Sequence, residues 1–167
     1  GYILGGYTPG ASRTDEIKSF DTSNESFAVV SATLPQAMSQ LSENVHNENY
    51  GYFVGGYGVA YITSMYRLEI SSETITEFNG VVSPTRTNTA GASSKQYGYI
   101  IGGIGSNPSP PPSYFYYSYT TRLDFNNETL SHLPSGAQPP LTKRGSGACS
   151  SNSFGFLGGG YWEPFGA

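Results

Sequence analysis

The sequence predicts an all-β protein made of repeated antiparallel units. Only 12% of its 167 residues are charged, and turn-forming and aromatic residues are abundant. A short apolar run followed by glycines recurs roughly every fifty residues. Helical periodicity bounded by caps is not found in any segment. We therefore expect strands and tight turns, with aromatic side chains supplying much of the buried area.

The recurring run reads GYILGG from residue 1, GYFVGG from 51, GYIIGG from 98 and GFLGGG from 155. Its apolar residues are continuous rather than alternating, which is typical of a strand buried on both faces. Glycine permits backbone angles that a Cβ forbids, so a glycine pair suits a strand end that closely approaches other backbone. The pairs given this structural role are Gly5 and Gly6, Gly55 and Gly56, Gly102 and Gly103, and Gly158 and Gly159.

A second motif follows the first three copies. It reads SFDTSNESF from residue 19, RLEISSETI from 67 and RLDFNNETL from 122, and its shared glutamates are Glu25, Glu73 and Glu128. The distance from these glutamates to the next glycine pair is nearly constant, at 30, 29 and 30 residues. From the glycine pair forward to the glutamate it varies, at 20, 18 and 26 residues. Constant length indicates a packed framework, and variable length indicates a surface loop.

Each repeat supports four strands in a fixed order. A small-residue strand, such as 88–94 or 146–151, precedes the glycine-capped strand. A third strand follows, as at 63–70 or 119–125. After a tight polar turn the fourth strand begins at the shared glutamate, as in 73–78. Four-stranded units of about fifty residues are typical of β-propeller blades. The sequence thus predicts an all-β propeller segment of about three four-stranded blades plus the inner strand of a fourth.

This repeat occupies the whole chain, residues 1–167, with no second domain. The repeats run approximately over 1–50, 51–97 and 98–154, and the next begins at 155–167. A propeller ring usually needs about four to eight blades. We therefore expect the chain to be part of a longer polypeptide or of an oligomer.

The pattern resembles the kelch repeat, in which a hydrophobic run, a double glycine and spaced aromatic residues follow one another. Phe20 stands at the family's Tyr position and Phe27 at its Trp position. Residues 83–86 and 140–144 resemble the Pro-to-Arg element that precedes the next blade. The Tyr and Trp pair itself is not kept in any repeat, so the array is a divergent one.

A narrower resemblance connects residues 122–161 with kelch-like repeats in structural and tail-fibre proteins of tailed phages, including cyanophages. The nearest match is SNSFGFLGGG at 151–160. This resemblance implies a non-enzymatic attachment module in an extracellular virion appendage (tail, fibre or capsid-associated). Its blade loops would bind a host surface glycan or another virion or scaffold protein. The alternatives are a carbohydrate-binding, lectin-like propeller outside any virus and an intracellular kelch adaptor for protein–protein interaction.

The length-variable loop of the third repeat, residues 105–121, is the candidate binding segment. Its prolines favour an extended polyproline II conformation, and tyrosines follow them. Rigid tyrosine-rich loops suit binding because the ring provides contact area and the hydroxyl a polar group. Packing on a neighbouring blade or subunit is the alternative. With two aromatics from the fourth repeat, the candidate binding residues are Tyr114, Phe115, Tyr116, Tyr117, Tyr119, Tyr161 and Trp162.

Catalytic residues, metal ligands and cofactors are not predicted. His46 and His132 lie in different repeat contexts without metal-ligand spacing, as surface or partly buried residues. Cys149 falls in a small-residue strand, where we expect a packed thiol. The repeated acids lie at hairpin turns, and we expect them to bond turn backbone and neighbouring blades rather than a cation. We interpret the glycosylation sequons at Asn24 and Asn127 by the same turn chemistry, and the alternative is that both carry glycans.

Charge and hydropathy exclude two classes of partner. The net charge is −4, and the eight lysines and arginines are scattered, so the sequence predicts no nucleic-acid partner. The apolar runs are all far shorter than a membrane span.

Overall fold

The computed structural model describes residues 1–41, 45–81, 85–107, 113–139, 144–151 and 153–161. Within these residues the protein is all-β and its strand pairings are antiparallel, which confirms the all-β part of the predicted fold class. The described helical structure is one short 3-10 helix, Ser135–Ala137.

The strands follow one another through the whole described chain. They are β1 (Tyr2–Leu4), β2 (Thr14–Asp21), β3 (Ser26–Met38), β4 (Val45–His46), β5 (Tyr50–Val54), β6 (Ser64–Glu69), β7 (Thr74–Val81), β8 (Ala90–Ser93), β9 (Tyr97–Ile101), β10 (Ile104–Asn107), β11 (Ser113–Tyr116), β12 (Thr120–Asp124), β13 (Thr129–His132), β14 (Arg144–Ser150) and β15 (Gly155–Tyr161).

These strands form a series of meandering sheets. The first sheet has the order β1-β2-β3, the second β4-β5-β6-β7 and the third β8-β9-β12-β13. The strands β14 and β15 form a terminal hairpin, and β10 pairs with β11 in a separate two-stranded sheet. The second and third sheets reproduce the predicted strand order, from the small-residue strand to the strand after the shared glutamate.

The sheets differ from the predicted count of three complete units and one inner strand. The first sheet has three strands, and the fourth repeat contributes two, because the small-residue segment pairs with β15 from Arg144↔Tyr161 to Ser150↔Gly155. The described residues do not form a closed ring of sheets.

Neighbouring sheets pack face to face through two apolar clusters. Leu4, Ile17, Leu34 and Met38 of the first sheet pack with Phe53, Tyr66 and Leu68 of the second. Val45, Tyr52, Val54 and Met65 of the second sheet pack with Ile100 and Leu123 of the third. Consecutive residues of β5 therefore enter different clusters, and all three of Tyr52, Phe53 and Val54 are at most 2% exposed. This strand is buried on both faces, as its continuous apolar pattern predicted. The same prediction is wrong for β15, whose residues are all exposed.

A tyrosine–glutamate hydrogen bond joins successive sheets at equivalent positions. The Tyr2 hydroxyl donates to Glu73 Oε1 at 3.2 Å, and the Tyr52 hydroxyl donates to Glu128 Oε1 at 3.1 Å. Arg67 Nη1 also lies 2.6 Å from Glu128 Oε1. We call each of these bonds a tyrosine–glutamate clasp. Both tyrosines occupy the second position of the glycine-capped run, so the repeat itself sets the register between sheets.

The clasps depend on an unusual backbone conformation of the glutamates, and they help to raise the pKa of the tyrosines. Glu73 and Glu128 have φ of 52° and 54°, a left-handed conformation that non-glycine residues seldom adopt. They lie in the turns that follow β6 and β12. Burial, reinforced by the Glu128 carboxylate, raises the pKa of Tyr52 well above its usual value.

The glycine pairs end the glycine-capped strands where backbones nearly touch. A Cβ on Gly55, where φ is 72°, would lie 2.4 Å from the carbonyl oxygen of Arg86. A Cβ on Gly5 would lie equally close to the carbonyl oxygen of Met38. In the fourth repeat the positive φ angles fall at Gly159 and Gly160. The equivalent pair is thus one residue beyond the alignment on Gly158 and Gly159.

We expect Gly55→Ala to lower the free energy of unfolding by about 2 kcal/mol or more, because the new methyl group meets a carbonyl oxygen in left-handed backbone. Gly147→Ala is the matched control. A Cβ there meets nothing within 4 Å, so the change should be within about 0.5 kcal/mol. Urea unfolding of both variants measures the difference, and equal effects would contradict the assigned role of the glycine pair.

Tyr52→Phe removes one clasp and keeps the ring. We expect a loss of about 1–2 kcal/mol in unfolding free energy, because a partly buried charge-assisted hydrogen bond disappears. A double-mutant cycle with Glu128→Gln should show a coupling of about 1 kcal/mol. Additive effects in the cycle would show that the bond does not join the sheets energetically.

Candidate functional site

Aromatic side chains gather where the glycine pairs end the strands of the first and second sheets. Tyr7 and Tyr57 directly follow their glycine pairs. The Arg13 guanidinium carbon lies 4.6 Å from the Tyr57 ring centroid and 5.7 Å from that of Tyr7. Tyr57 also meets Tyr61 edge to face at 5.2 Å between centroids. These rings and the guanidinium form one continuous group with contributions from two sheets.

Backbone hydrogen bonds hold this group in place. The Tyr57 N–H donates to the Ser39 carbonyl at 2.8 Å, and the Ser39 N–H donates back to Tyr57 at 2.9 Å. Arg13 Nε donates to the Ser39 hydroxyl at 3.2 Å. A hydrogen bond with Ser39, helped by the charge of Arg13, lowers the pKa of Tyr7. Ser39 therefore connects the loops of both sheets. Its hydrogen bonds at the ends of the strands, rather than free loop tips, fix the positions of the rings.

Tyr117, in the loop of the third repeat, lies near Tyr61 of this group. Burial raises the pKa of Tyr117, and nearby Tyr61 adds to the shift. A Cβ at Gly105 would lie 2.9 Å from the Tyr117 ring, so the absence of a side chain at Gly105 makes room for that ring. We define the aromatic surface as Tyr7, Arg13, Tyr57, Tyr61 and Tyr117.

The predicted binding loop is a paired structure on both sides of its prolines. Strand β10 pairs with β11 from Ile104↔Tyr116 to Asn107↔Ser113. Backbone pairing therefore satisfies the hydrogen bonds of the described parts of this loop, and the polyproline II prediction concerns the prolines between them. The prolines at 108–112 lie outside the described residues, as does Trp162, and the side chain of Tyr114 is not described either.

The remaining predicted aromatics divide into two groups. Tyr117 belongs to the aromatic surface, and the ring centroid of Tyr119 lies 5.7 Å from that of Tyr117. Tyr116 faces Arg144, whose guanidinium carbon lies 5.4 Å from the Tyr116 centroid and 5.0 Å from that of Tyr161. The structure thus brings Tyr116 and Tyr161 to one arginine. Phe115 is 41% exposed, apart from these stacks.

A buried arginine supports the segment that carries Tyr117 and Tyr119. Arg86 is completely buried, and its guanidinium donates to the Tyr119 carbonyl at 3.0 Å, to the Ile100 carbonyl at 3.4 Å and to the Thr121 hydroxyl. Burial lowers the pKa of Arg86 to about 10. Arg86 belongs to the Pro-to-Arg element of the sequence, and its guanidinium anchors the loop of the third sheet.

Sequence reasoning missed four members of the aromatic surface: Tyr7, Arg13, Tyr57 and Tyr61. Two of them had a visible signal, because GGY occurs at residues 5–7 and 55–57. A tyrosine at a fixed position after the glycine pair lies at the same end of each sheet. The arginine had no such signal, since Arg13 reaches Tyr57 only through sheet packing.

The repeated acids have structural roles, as expected. Asp21 accepts the Ser23 N–H at 2.8 Å and Asp124 accepts the Asn126 N–H at 2.9 Å, which closes their turns. The side chain of Asn127 accepts the Thr129 N–H and hydroxyl in the same way, and Asn24 does so with Ser26. The two sequons therefore coincide with identical turns.

The histidines and the cysteine, which are the other residues considered for catalysis or metal binding, do not form a common site. His46 and His132 are both exposed. Cys149 is exposed as well, so the expectation of a packed thiol is wrong. Strand alternation explains this, because Ser146 and Ala148 take the inward positions of β14 and Cys149 takes an outward one. In the described part of the chain, His, Cys, Asp and Glu residues form no group of three or more that would suit a metal ion.

Neither a protein-family model nor a curated protein matches the chain. Among the described residues no helix has the length and apolar character needed to cross a membrane.

We expect Arg86→Met to lower the free energy of unfolding by about 3 kcal/mol, because it removes donors from buried oxygens and releases the Tyr117–Tyr119 segment. Near-ultraviolet circular dichroism should also lose intensity as the tyrosines lose their fixed environment. Lys18→Met, at a side chain 46% exposed, is the control and should change stability by no more than about 0.5 kcal/mol. Equal effects at both positions would refute an anchoring role for Arg86.

Proposed function

We propose that the chain is a segment of a kelch-like β-propeller that acts as a non-enzymatic attachment module, and that its aromatic surface binds a glycan. The propeller assignment is supported by successive meandering sheets of three and four strands that pack face to face in one repeated register. The clasps at Tyr2 and Tyr52 give each sheet the same relation to the next. Loops at one end of such sheets are the usual place for binding residues.

The observation that carries the glycan proposal is the stack of tyrosines and arginine across two sheets. A sugar ring presents an apolar C–H face and polar hydroxyl edges. The Tyr7 ring, 57% exposed, can pack against the C–H face of the sugar. The tyrosine hydroxyls and the guanidinium group around it can form hydrogen bonds with the hydroxyl edges of the sugar. Because Ser39 holds the loops together, the surface is already ordered before a ligand arrives. Preorganisation of this kind reduces the entropic cost of binding.

The setting that we propose is an extracellular virion appendage. It rests on the resemblance of residues 151–160 to phage structural repeats, while the aromatic surface supplies the reason for an attachment role. A lectin-like propeller outside a virus would use the same surface. In both settings the repeated acids stay in turns and clasps, which supports a module without catalytic carboxylates.

A glycan array probed with the intact chain tests this proposal, followed by titration calorimetry with the best ligand. We expect Tyr57→Ala to weaken binding at least tenfold, equivalent to about 1.4 kcal/mol, because the central ring of the stack is lost. Tyr57→Phe should retain most of the affinity.

Tyr97→Ala is the matched control for that experiment. The Tyr97 ring also stacks on an arginine, with Arg122 at 4.6 Å, but it lies at the opposite end of β9 from the glycine pair. This variant should bind like the unchanged chain. Failure of every glycan to bind, or equal losses from Tyr57→Ala and Tyr97→Ala, would reject the glycan-binding role and favour a protein partner.

A further inference from the structure

One face of the first sheet is apolar and open. Ile3, Phe27 and Val29 are 53%, 59% and 65% exposed, and with Lys18 and Ala28 they line a shallow groove. Register places Ile3 opposite Lys18 and Lys18 opposite Val29, so these side chains share one side of the sheet. We call it the open face. It does not include any residue of the aromatic surface.

The equivalent faces of the next two sheets are buried interfaces. Phe53 takes the place of Ile3 in the second sheet and is 2% exposed, and Ile100 takes it in the third sheet and is fully buried. Phe53 packs against the first sheet, and Ile100 packs against the second. In both cases the face is covered by the side of the preceding sheet that presents the clasp tyrosine. The repeat therefore identifies the kind of surface that fits the open face.

A glutamate at the open face is already in the clasp conformation. Glu25 has φ of 56°, against 52° for Glu73 and 54° for Glu128. Those two each accept a tyrosine hydroxyl from the preceding sheet. Among the described residues no tyrosine hydroxyl bonds Glu25, whose side chain is exposed. The turn thus adopts a rarely populated backbone conformation before the bond that uses it elsewhere has formed.

We propose that the open face binds a further β-sheet of the same repeat type, with a tyrosine in the second position of its glycine-capped strand that donates to Glu25. An apolar patch with one carboxylate acceptor at its edge matches the composition of the two interfaces already present. The stem of Lys18 extends the apolar area, since its ammonium group reaches Glu16 at 2.9 Å. A surface without this tyrosine would leave the Glu25 carboxylate with its desolvation uncompensated.

Tandem duplication tests the proposal on the intact chain. Residues 1–50 are placed directly before Gly1, which reproduces the Tyr50–Gly51 junction and supplies a second Tyr2. We expect the melting temperature to rise by at least about 5 °C as the open face is covered. Tyr2→Phe in the added copy should lower the melting temperature of the extended chain by about 3–6 °C when the original first sheet keeps Glu25. The same substitution should lower it by no more than about 1 °C when the original first sheet carries Glu25→Gln.

A second extended chain and a measurement of thiol reactivity complete the test. Residues 45–97 placed before Gly1 reproduce the Tyr97–Gly98 junction and supply Tyr52 instead. In a Cys149→Ser background, the thiol of Phe27→Cys should react with a maleimide at least tenfold more slowly in either extended chain than in the original one. The proposal is overturned if neither extension protects that thiol, or if the tyrosine and Glu25 changes are additive. Sedimentation showing that the unextended chain covers this face by forming dimers would overturn it as well.

Discussion

Face-to-face packing of sheets through the glycine-capped strand is the interaction on which the rest of the structure depends. In β5 consecutive side chains enter opposite apolar clusters, with Phe53 directed to the first sheet and Tyr52 to the third. A single strand thus connects two interfaces. Apolar packing is non-directional, and the clasp from Tyr52 to Glu128 adds the directional bond that selects one register between sheets.

Two backbone constraints make that packing possible. Because glycine has no Cβ, the glycine pairs let a buried strand end directly against a backbone carbonyl, as Gly55 does against the carbonyl of Arg86. The glutamates of the turns accept positive φ so that their carboxylates meet the preceding sheet. Both are locally unfavourable or restrictive, and both recur at equivalent positions. At Glu73 and Glu128 the packed interfaces add contacts that stabilise this conformation.

The aromatic surface depends on this scaffold. Tyr7 and Tyr57 follow glycine pairs, so the end of the strand fixes the place of each ring. Ser39 and Arg13 then connect loops of different sheets, and the buried guanidinium of Arg86 supports the loop that carries Tyr117. The candidate site is therefore assembled from parts that are 110 residues apart in sequence, between Tyr7 and Tyr117.

By itself the sequence determined the all-β class, the strand order of the second and third sheets and the turn roles of acids such as Asp21, because repeated spacing and period are local properties. It also named Tyr117 and Tyr161 as candidate binding residues, a role that stays a prediction. Only the tertiary structure decided that Arg13 stacks on Tyr57, that Cys149 points outward, and that the run beginning at Gly1 leaves Ile3 exposed while the identical pattern at Gly51 buries Phe53. The reason is physical: a repeat specifies which side chains can pack, but the neighbouring sheet decides whether they do.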